Sequence, residues 1–223
     1  MKLGLSRADA ALLARLNTPE KIQDFIDAMP TNHEVGGETC STAAGALRLG
    51  AAHCIEGALI AATALWMQGE KPLLMDMQAK GDEDHVIALF RRGKHWGAIS
   101  KSNHVWLRWR DPVYRSLREL AMSYFHEYVS DEKKTLRTYS RAFDLRRYEP
   151  SAWVSGTECW DLAWDLDQSR HYPLITPQQA RKLRERDRFE QYAGNFVEYP
   201  HPQAAKRKPD RPAAADDAAA RSA

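Results

Sequence analysis

The sequence predicts an α+β protein in which buried N-terminal helices pack on a small antiparallel sheet. Three observations support this fold class. Apolar residues recur at helical spacing near the N-terminus, one central segment is apolar on nearly every side, and three strand-like runs follow that segment. Helices followed by strands, in separate blocks, are typical of α+β layer arrangements.

The composition is that of a globular chain and narrows the functional classes. The chain has 223 residues, 43% of them hydrophobic and 28% charged, which is enough apolar material for a packed core. A formal net charge of +2 argues against binding of a bulk polyanion. Cys40, Cys54 and Cys159 have no metal-like spacing, and an odd number of cysteines without a disulfide pattern is typical of a reducing compartment.

The N-terminal stretch does not have the character of a signal peptide. It carries charges at Arg7, Asp9 and Arg15 and lacks an uncharged apolar segment. The longest apolar run, residues 57–66, is too short to span a bilayer. We therefore expect a soluble, cytoplasmic protein without a membrane partner.

Several helices are predicted before residue 70. Ser6 is the N-cap of a helix over 7–16, and Thr18, followed by proline, is the N-cap of a second helix that ends before residue 30. After a loop and a short helix, a central helix runs from about His53 to Gln68. Ala and Gly fill most positions between its larger apolar residues, so it has no polar face and is predicted to be buried.

Three strand-like runs follow the central helix. The first is KPLLMDMQA at 71–79. The second, HVIALFRR at 85–92, and the third, HWGAIS at 95–100, flank a turn that begins at Gly93. This pattern predicts a β-hairpin.

Helices are expected again beyond Asn103. Asp111 and Pro112 stand where an N-cap and a first helical residue would, and two further amphipathic helices are predicted over 157–168 and 177–197. The run RAFDLRRYEP at 141–150, which precedes these two helices, is predicted to be extended.

These elements divide the chain into four predicted parts. Residues 1–18 form an N-terminal helix, 19–130 a core, and 131–198 a helical C-terminal extension. Residues 199–223 contain several prolines and almost no large apolar residue, so we predict a disordered tail there.

Cys54 is the leading candidate for a functional residue. It stands in the first turn of an apolar helix, where unpaired N–H groups and the helix dipole favour the thiolate. His85 begins a strand-like run 31 residues later and is a candidate for its imidazolium partner. Such a pair is the nucleophile and base of covalent acyl chemistry. A buried core thiol at Cys54 and a solvated turn histidine at His85 are the structural alternatives.

Residues 19–103 resemble the core of the transglutaminase-like superfamily, within the papain-like fold. The similarity lies in the order of STAAGALRLGAAHCIEGALIAATALW, PLLMDM, HVIALF and the RGKHW turn. In that superfamily a cysteine begins a buried helix that ends in glycine, and a later strand begins with histidine. The resemblance implies that Cys54 is the nucleophile, that His85 is the base, and that the substrate is a peptide or protein.

This chain departs from the family pattern at the third catalytic position. An aspartate that orients the histidine usually ends the strand after the turn; here that place falls at Ser100, and no carboxylate lies between Asp84 and Asp111. Ser100, or failing it Ser102 or Asn103, is predicted to accept the imidazole N–H, as an asparagine does in papain-like proteases. A neutral acceptor fixes the tautomer but stabilises an imidazolium less than a carboxylate does.

The predicted function is therefore cysteine-dependent acyl transfer, with hydrolysis of a peptide or amide bond favoured over cross-linking. The Cys54 backbone N–H is the predicted oxyanion donor. The alternative is an inactive relative that binds a peptide or protein through the same cleft. No cofactor is expected, and the spacing of Cys54, His85 and His95 does not require a metal.

The remaining chemically distinctive residues are assigned structural roles. His53 would point about 100 degrees away from Cys54 on a helix, which argues against a role as its base. Glu56 is predicted to be a first-turn carboxylate, with substrate binding as its alternative. Cys40 is predicted to be a packing residue, with a resolving thiol or a substrate-loop residue as its alternatives. The Trp- and Arg-rich run 104–118 could bind RNA, but the near-neutral chain favours a strand with one charged face, so no nucleic-acid partner is expected.

Overall fold

Four helices precede the first strand in the computed structural model, which describes residues 3–130 and 133–202. They are α1 (Arg7–Arg15), α2 (Pro19–Ala28), α3 (Ala43–Leu49) and α4 (Cys54–Met67). Side chains of Ser6, Thr18 and Thr42 accept hydrogen bonds from free backbone N–H groups at the starts of α1, α2 and α3. The predicted N-terminal helices are therefore confirmed.

Helix α4 is the centre of the helical layer. Every residue from Ile55 to Leu65 is buried, and α1, α2 and α3 pack around the helix while the sheet covers its remaining side. The predicted lack of a polar face is confirmed. Gly57 allows close packing at the start of α4, because a Cβ there would lie 2.4 Å from the Cβ of Lys101.

The three predicted strands are present. They are β1 (Leu73–Ala79), β2 (His85–Arg92) and β3 (His95–Ile99). Strand β2 pairs antiparallel with both neighbours, and Gly93 has a φ of +59° in the hairpin turn. This pairing puts the start of β2 and the end of β3 at the same end of the hairpin.

The rest of the chain adds more strands than the sequence predicts. They are β4 (Arg110–Tyr114), β5 (Val129–Ser130), β6 (Lys133–Lys134), β7 (Leu136–Ser140), β8 (Phe143–Asp144) and β9 (His171–Pro173). The main sheet has the order β4-β3-β2-β1-β7-β9, with β8 also paired to β1, and all its pairs are antiparallel. The α+β class is thus confirmed.

The predicted helical character of 131–198 needs correction. Strands β7, β8 and β9 complete the main sheet on the β1 side, and β8 and β9, with two and three residues, are too short to show a strand period. The helices of this region are α6 (Trp160–Asp167), α7 (Pro177–Arg181) and α8 (Arg188–Gly194). The single helix predicted over 177–197 is divided because Asp187 begins a new helix with its own capping box.

The helix predicted at Asp111 and Pro112 is also wrong. These residues belong to β4 at the edge of the sheet, where a proline removes no ladder hydrogen bond. The helix of this region is α5 (Leu117–Met122), and it begins after Ser116, whose hydroxyl accepts a hydrogen bond from the N–H of Glu119.

Both faces of the sheet are covered. Residues that face α4 include Leu74, Val86, Ala88 and Phe90, and residues on the opposite face include Met75, Met77, Ile87 and Leu89. The second face packs against α5 and the aromatic segment after it. Among the described residues, no helix has the length and apolar character needed to cross a membrane. Of the predicted tail, residues 203–223 lie outside the described part.

Candidate active site

Cys54, His85 and Ser100 come together at the open end of the β2–β3 hairpin. Cys54 is the first residue of α4 and is partly exposed, His85 is the first residue of β2, and Ser100 directly follows β3. The side chains of His85 and Ser100 are buried. Antiparallel pairing brings His85 and Ser100 together. The close contact of Gly57 with Lys101 holds this end of the hairpin against the first turn of α4.

The hydrogen bonds of His85 define its tautomer. Its Nε2 lies 2.7 Å from Ser100 Oγ and 3.3 Å from the carbonyl oxygen of Leu107. Ser100 donates its hydroxyl proton to that same carbonyl at 2.9 Å. A serine hydroxyl has a single proton, so Ser100 Oγ must accept from His85. Nε2 therefore carries the proton, and Nδ1 is the basic nitrogen.

Ser100 is held by Gln23, a residue that the sequence analysis did not single out. Gln23 Oε1 accepts from the Ser100 N–H at 2.9 Å, and its Nε2 donates to the Ser100 carbonyl at 2.9 Å. One buried amide thus satisfies both backbone groups of Ser100. A polar residue between Ile22 and Ile26, on the apolar face of α2, is the sequence signal that points to such a role.

The surroundings of Cys54 favour its thiolate. Burial alone would raise the pKa of the thiol, but the imidazoles of His53 and His85 lower it to about 6 through hydrogen bonding and charge. The sulfur also lies 3.9 Å from the carbonyl oxygen of Asp84. A thiol with this pKa is mainly ionised at neutral pH, as a nucleophile requires.

His53 is a second histidine beside the thiol. It is the N-cap of α4, with φ −97° and ψ −170°, so the helical spacing that would point it away from Cys54 does not apply. Burial alone would lower its pKa, but the thiolate of Cys54 and the charge of Glu56 raise it to about 9. Its Nε2 lies 3.0 Å from the carbonyl oxygen of Thr39. Between about pH 6 and 9, a thiolate therefore lies beside an imidazolium.

Glu56 anchors the loop that precedes the site. Its buried carboxylate accepts hydrogen bonds from the backbone N–H groups of His53 at 3.1 Å and Ser41 at 3.0 Å, and from Asn32 Nδ2 at 3.1 Å. Burial would raise its pKa, but the charge of His53 and these hydrogen bonds lower it. The predicted first-turn carboxylate is thus an anion that supports His53 and holds the loop in place.

Cys54 and His85 face a cavity of about 480 Å³ with a polar lining. Its carboxylates are Glu34, Asp82, Glu83, Asp84 and Glu127. Lys101 also lines it, but its ammonium donates to the carbonyl oxygen of Met29, and burial lowers its pKa to about 8. The five carboxylates outnumber the Lys101 ammonium and the His53 imidazolium, so the lining has an excess of negative charge and is complementary to a ligand with positive charge.

Other residues named from the sequence lie in different surroundings. Asn103, an alternative to Ser100, has its side-chain amide paired with the backbone of Tyr199, at 2.9 Å to the carbonyl and 2.8 Å to the N–H. His95 is exposed at the opposite end of the hairpin from His85, so these two and Cys54 do not form a metal site.

Among the described residues, one carboxylate cluster has the spacing needed to hold a cation. Asp76, Asp84 and Asp167 have ligand oxygens within 4.8 Å of one another. His171 Nε2 lies 3.1 Å from Asp76 Oδ2 and offers a counter-charge to the cluster when protonated. The cluster adjoins the thiol site, because Asp84 lines the same cavity as Cys54 and directly precedes His85.

The basic residues of 104–118 make contacts inside the protein. Arg108 forms an ion pair with Asp27 at 3.5 Å, and the guanidinium of Arg110 lies 3.9 Å from the centre of the Tyr124 ring. These contacts give both arginines structural partners. The expectation that this segment does not bind nucleic acid remains a prediction.

Comparison of the chain with models of known protein families and with curated proteins finds no match in either case. The chemistry of the site is therefore inferred from its geometry.

Proposed function

We propose that the protein is a cysteine-dependent acyl-transfer enzyme of the papain-like, transglutaminase-like type that hydrolyses a peptide or amide bond. One observation supports this proposal above the others. A thiol of lowered pKa at the start of a buried helix faces a histidine whose far nitrogen is bound to Ser100. Nucleophile, base and orienting group, in this order, are the parts of a catalytic triad.

In the proposed reaction the Cys54 thiol gives its proton to His85 Nδ1, and the resulting thiolate attacks the carbonyl carbon of the substrate. The Cys54 backbone N–H, in the first turn of α4, binds the developing oxyanion. His85 Nδ1–H gives its proton to the leaving amine, and the thioester forms as the C–N bond breaks. His85 then takes a proton from water, which attacks the thioester and releases the acid and the thiolate.

The two remaining polar residues have positioning roles. Ser100 holds Nε2–H, so that Nδ1 is directed to the reacting atoms through both steps. The positive charge of His53 stabilises the thiolate before attack and after release of the acid. Because the cavity lining is mainly anionic, we propose substrates with Lys or Arg near the bond to be cleaved.

A library of fluorescence-quenched peptides rich in Lys and Arg tests the proposal. We expect wild-type protein to release fluorescence, and Cys54→Ala and His85→Ala to lower the rate by about 10²-fold or more. His95→Ala, which alters an exposed histidine of the same hairpin, is the matched control and keeps the wild-type rate. Equal rates for wild type and Cys54→Ala would refute cysteine catalysis.

A peptide-binding module without catalysis is the second candidate. It is favoured by the neutral Ser100, since a hydroxyl stabilises an imidazolium less than a carboxylate does. Fluorescence polarisation with the same peptides separates the two. Binding without any cleavage, unchanged in Cys54→Ser, would support the module; cleavage that requires Cys54 would exclude it.

A further inference from the structure

Two cysteines that the site does not use lie against each other. The sulfur atoms of Cys40 and Cys159 are 3.1 Å apart, and both side chains are buried. They are 119 residues apart in the chain, so no spacing pattern in the sequence identifies them as a pair. Cys40 was expected to be a packing residue, and its thiol contacts a second thiol.

The backbone around these cysteines has the geometry that a disulfide needs. Ser41 and Glu158 form an isolated antiparallel bridge, and the Cys159 N–H donates to the Cys40 carbonyl at 2.8 Å. Facing residues in antiparallel pairs have Cα atoms about 4.5–5.5 Å apart. Disulfides span Cα separations of about 4.4–6.8 Å. The bond can therefore form by movement of the two side chains.

We propose that Cys40 and Cys159 form a redox-active dithiol site, which hydrogen peroxide or a related small peroxide converts to an intramolecular disulfide. The site is separate from Cys54. It does not depend on the proposed acyl-transfer activity.

The two thiols differ in how strongly their surroundings favour the thiolate. The hydrogen bond from Cys159 and the charge of His53 lower the pKa of Cys40, although burial opposes this. The hydrogen bond to Cys40 and burial raise the pKa of Cys159. A thiolate is therefore favoured at Cys40, 3.1 Å from the sulfur of Cys159.

A small oxidant has a route to the pair. A cavity of about 470 Å³ reaches Cys159 and is lined also by Tyr148, Trp160 and Leu162. Hydrogen peroxide is small enough to enter such a cavity without unfolding of the chain.

The oxidation proceeds in two balanced steps. The thiolate of one cysteine attacks one oxygen of hydrogen peroxide, the O–O bond breaks, and a sulfenic acid and hydroxide form. The sulfur of the other cysteine then attacks the sulfenic sulfur; the S–S bond forms, the S–O bond breaks, and the thiol proton and hydroxide leave as water. Two thiols lose two electrons in all, and the peroxide becomes two waters after the first hydroxide takes up a proton.

The disulfide would restrain the loop beside the start of α4. Cys40 lies between Thr39, whose carbonyl contacts His53, and Ser41, whose N–H is bound by Glu56. A covalent bond to Cys159 would join this loop to the segment that precedes α6. We expect the oxidised protein to have a higher melting temperature, because cross-linking restricts the unfolded chain.

The test uses full-length Cys54→Ser, in which Cys40 and Cys159 are the remaining thiols. We expect hydrogen peroxide to remove both free thiols, and non-reducing digestion with mass spectrometry to show a peptide that links residues 40 and 159. Dithiothreitol should restore the thiols and lower the melting temperature to its starting value. Cys159→Ser in the same background should give no linked peptide and no rise in melting temperature.

Two outcomes would overturn the proposal. One is recovery of both thiols unmodified after peroxide treatment that leaves the fold intact by circular dichroism. The other is sulfinic acid at either cysteine without any linked peptide. The wild-type protein serves as a second measurement should Cys159→Ser fail to fold, since a Cys40–Cys159 linkage in its digest supports the proposal and linkage to Cys54 alone contradicts it.

Discussion

Two imidazoles from different parts of the chain act on the thiol of Cys54. His53 precedes it directly and is placed by the N-cap geometry of α4, while His85 comes from the start of β2. Both lower the pKa of the thiol, against the effect of burial. His85 was predicted as the partner of the thiol, whereas His53 was predicted to point away from it because helical spacing was applied to a residue that is the N-cap.

The pH dependence of thiol reactivity tests this environment. Since the pKa of Cys54 is lowered to about 6, its thiolate forms as pH rises through 6, and the rate of alkylation by iodoacetamide should reach half its maximum near that pH. His53→Ala or His85→Ala should move the midpoint upward, because each removes a charge and a hydrogen bond that favour the thiolate. Mass spectrometry of the alkylated Cys54 peptide gives the rate.

His95→Ala is the control for this measurement, since it alters an exposed histidine, and it should leave the midpoint unchanged. A wild-type midpoint near the ordinary thiol pKa, about 8.5, would show that Cys54 is not activated.

The position of Ser100 was expected from the sequence, but the direction of its hydrogen bond to His85 was not. The resemblance to the transglutaminase-like superfamily implied an orienting residue at this end of the hairpin, and Ser100 Oγ lies 2.7 Å from His85 Nε2. The direction of the hydrogen bond does not follow from the sequence. It depends on the Leu107 carbonyl, which takes the serine proton and leaves Ser100 as an acceptor.

At the scale of secondary structure, the site depends on how closely the start of α4 approaches the end of β3. Gly57 makes this approach possible, because its missing side chain leaves room for Lys101. The predicted hairpin and the buried helix come from strong periodic patterns. Strand β4 does not, since Asp111 and Pro112 carry the local signal of a helix start, and pairing with β3 overrides it.

Gly57→Ala tests this contact. A Cβ there would lie 2.4 Å from the Lys101 Cβ, so α4 and the loop after β3 must move apart. We expect a loss of about 1–3 kcal/mol in the free energy of unfolding, measured by urea denaturation. The alkylation rate of Cys54 should also fall, because His85 and Ser100 lie at the end of the hairpin that would be displaced.

Gly36→Ala is the matched control for this change. Gly36 has open space around its Cα, so the same added methyl group should alter neither stability nor Cys54 reactivity. If Gly57→Ala behaved like Gly36→Ala, the close approach would have no role in building the site.

At the scale of the whole molecule, residues beyond 130 are part of the main core. Trp153 is fully buried and stacks on Trp66 of α4 with ring centres 5.4 Å apart. The carbonyl oxygens of Trp153 and Val154 accept hydrogen bonds from the free N–H groups of Ala43 and Ala44 at the start of α3. The helical layer is therefore closed by the C-terminal half of the chain.

Trp153→Ala measures this closure. We expect a loss of about 3–5 kcal/mol in the free energy of unfolding, since the change leaves a large cavity beside α4. Urea denaturation followed by circular dichroism gives the value. Trp164→Ala, at a tryptophan that is 66% exposed, should change it by no more than about 0.5 kcal/mol. Similar losses for both variants would argue against a structural role of this segment.

The sequence by itself determined the helical layer, the hairpin and the candidate pair of Cys54 and His85. These features depend on local periodicity, capping residues and turn residues, which act over a few positions. Such signals are present in the chain before it folds.

Only the tertiary structure decided what lies around that pair. Gln23 meets Ser100 across 77 residues, and Cys40 meets Cys159 across 119. Strands β8 and β9 are too short to carry a period of their own. Strands β7 and β8 pair with the hydrogen-bonding groups that β2 leaves free on β1, and β9 pairs in turn with β7. Contacts between distant segments depend on the packing of the whole chain, and local sequence patterns do not encode them.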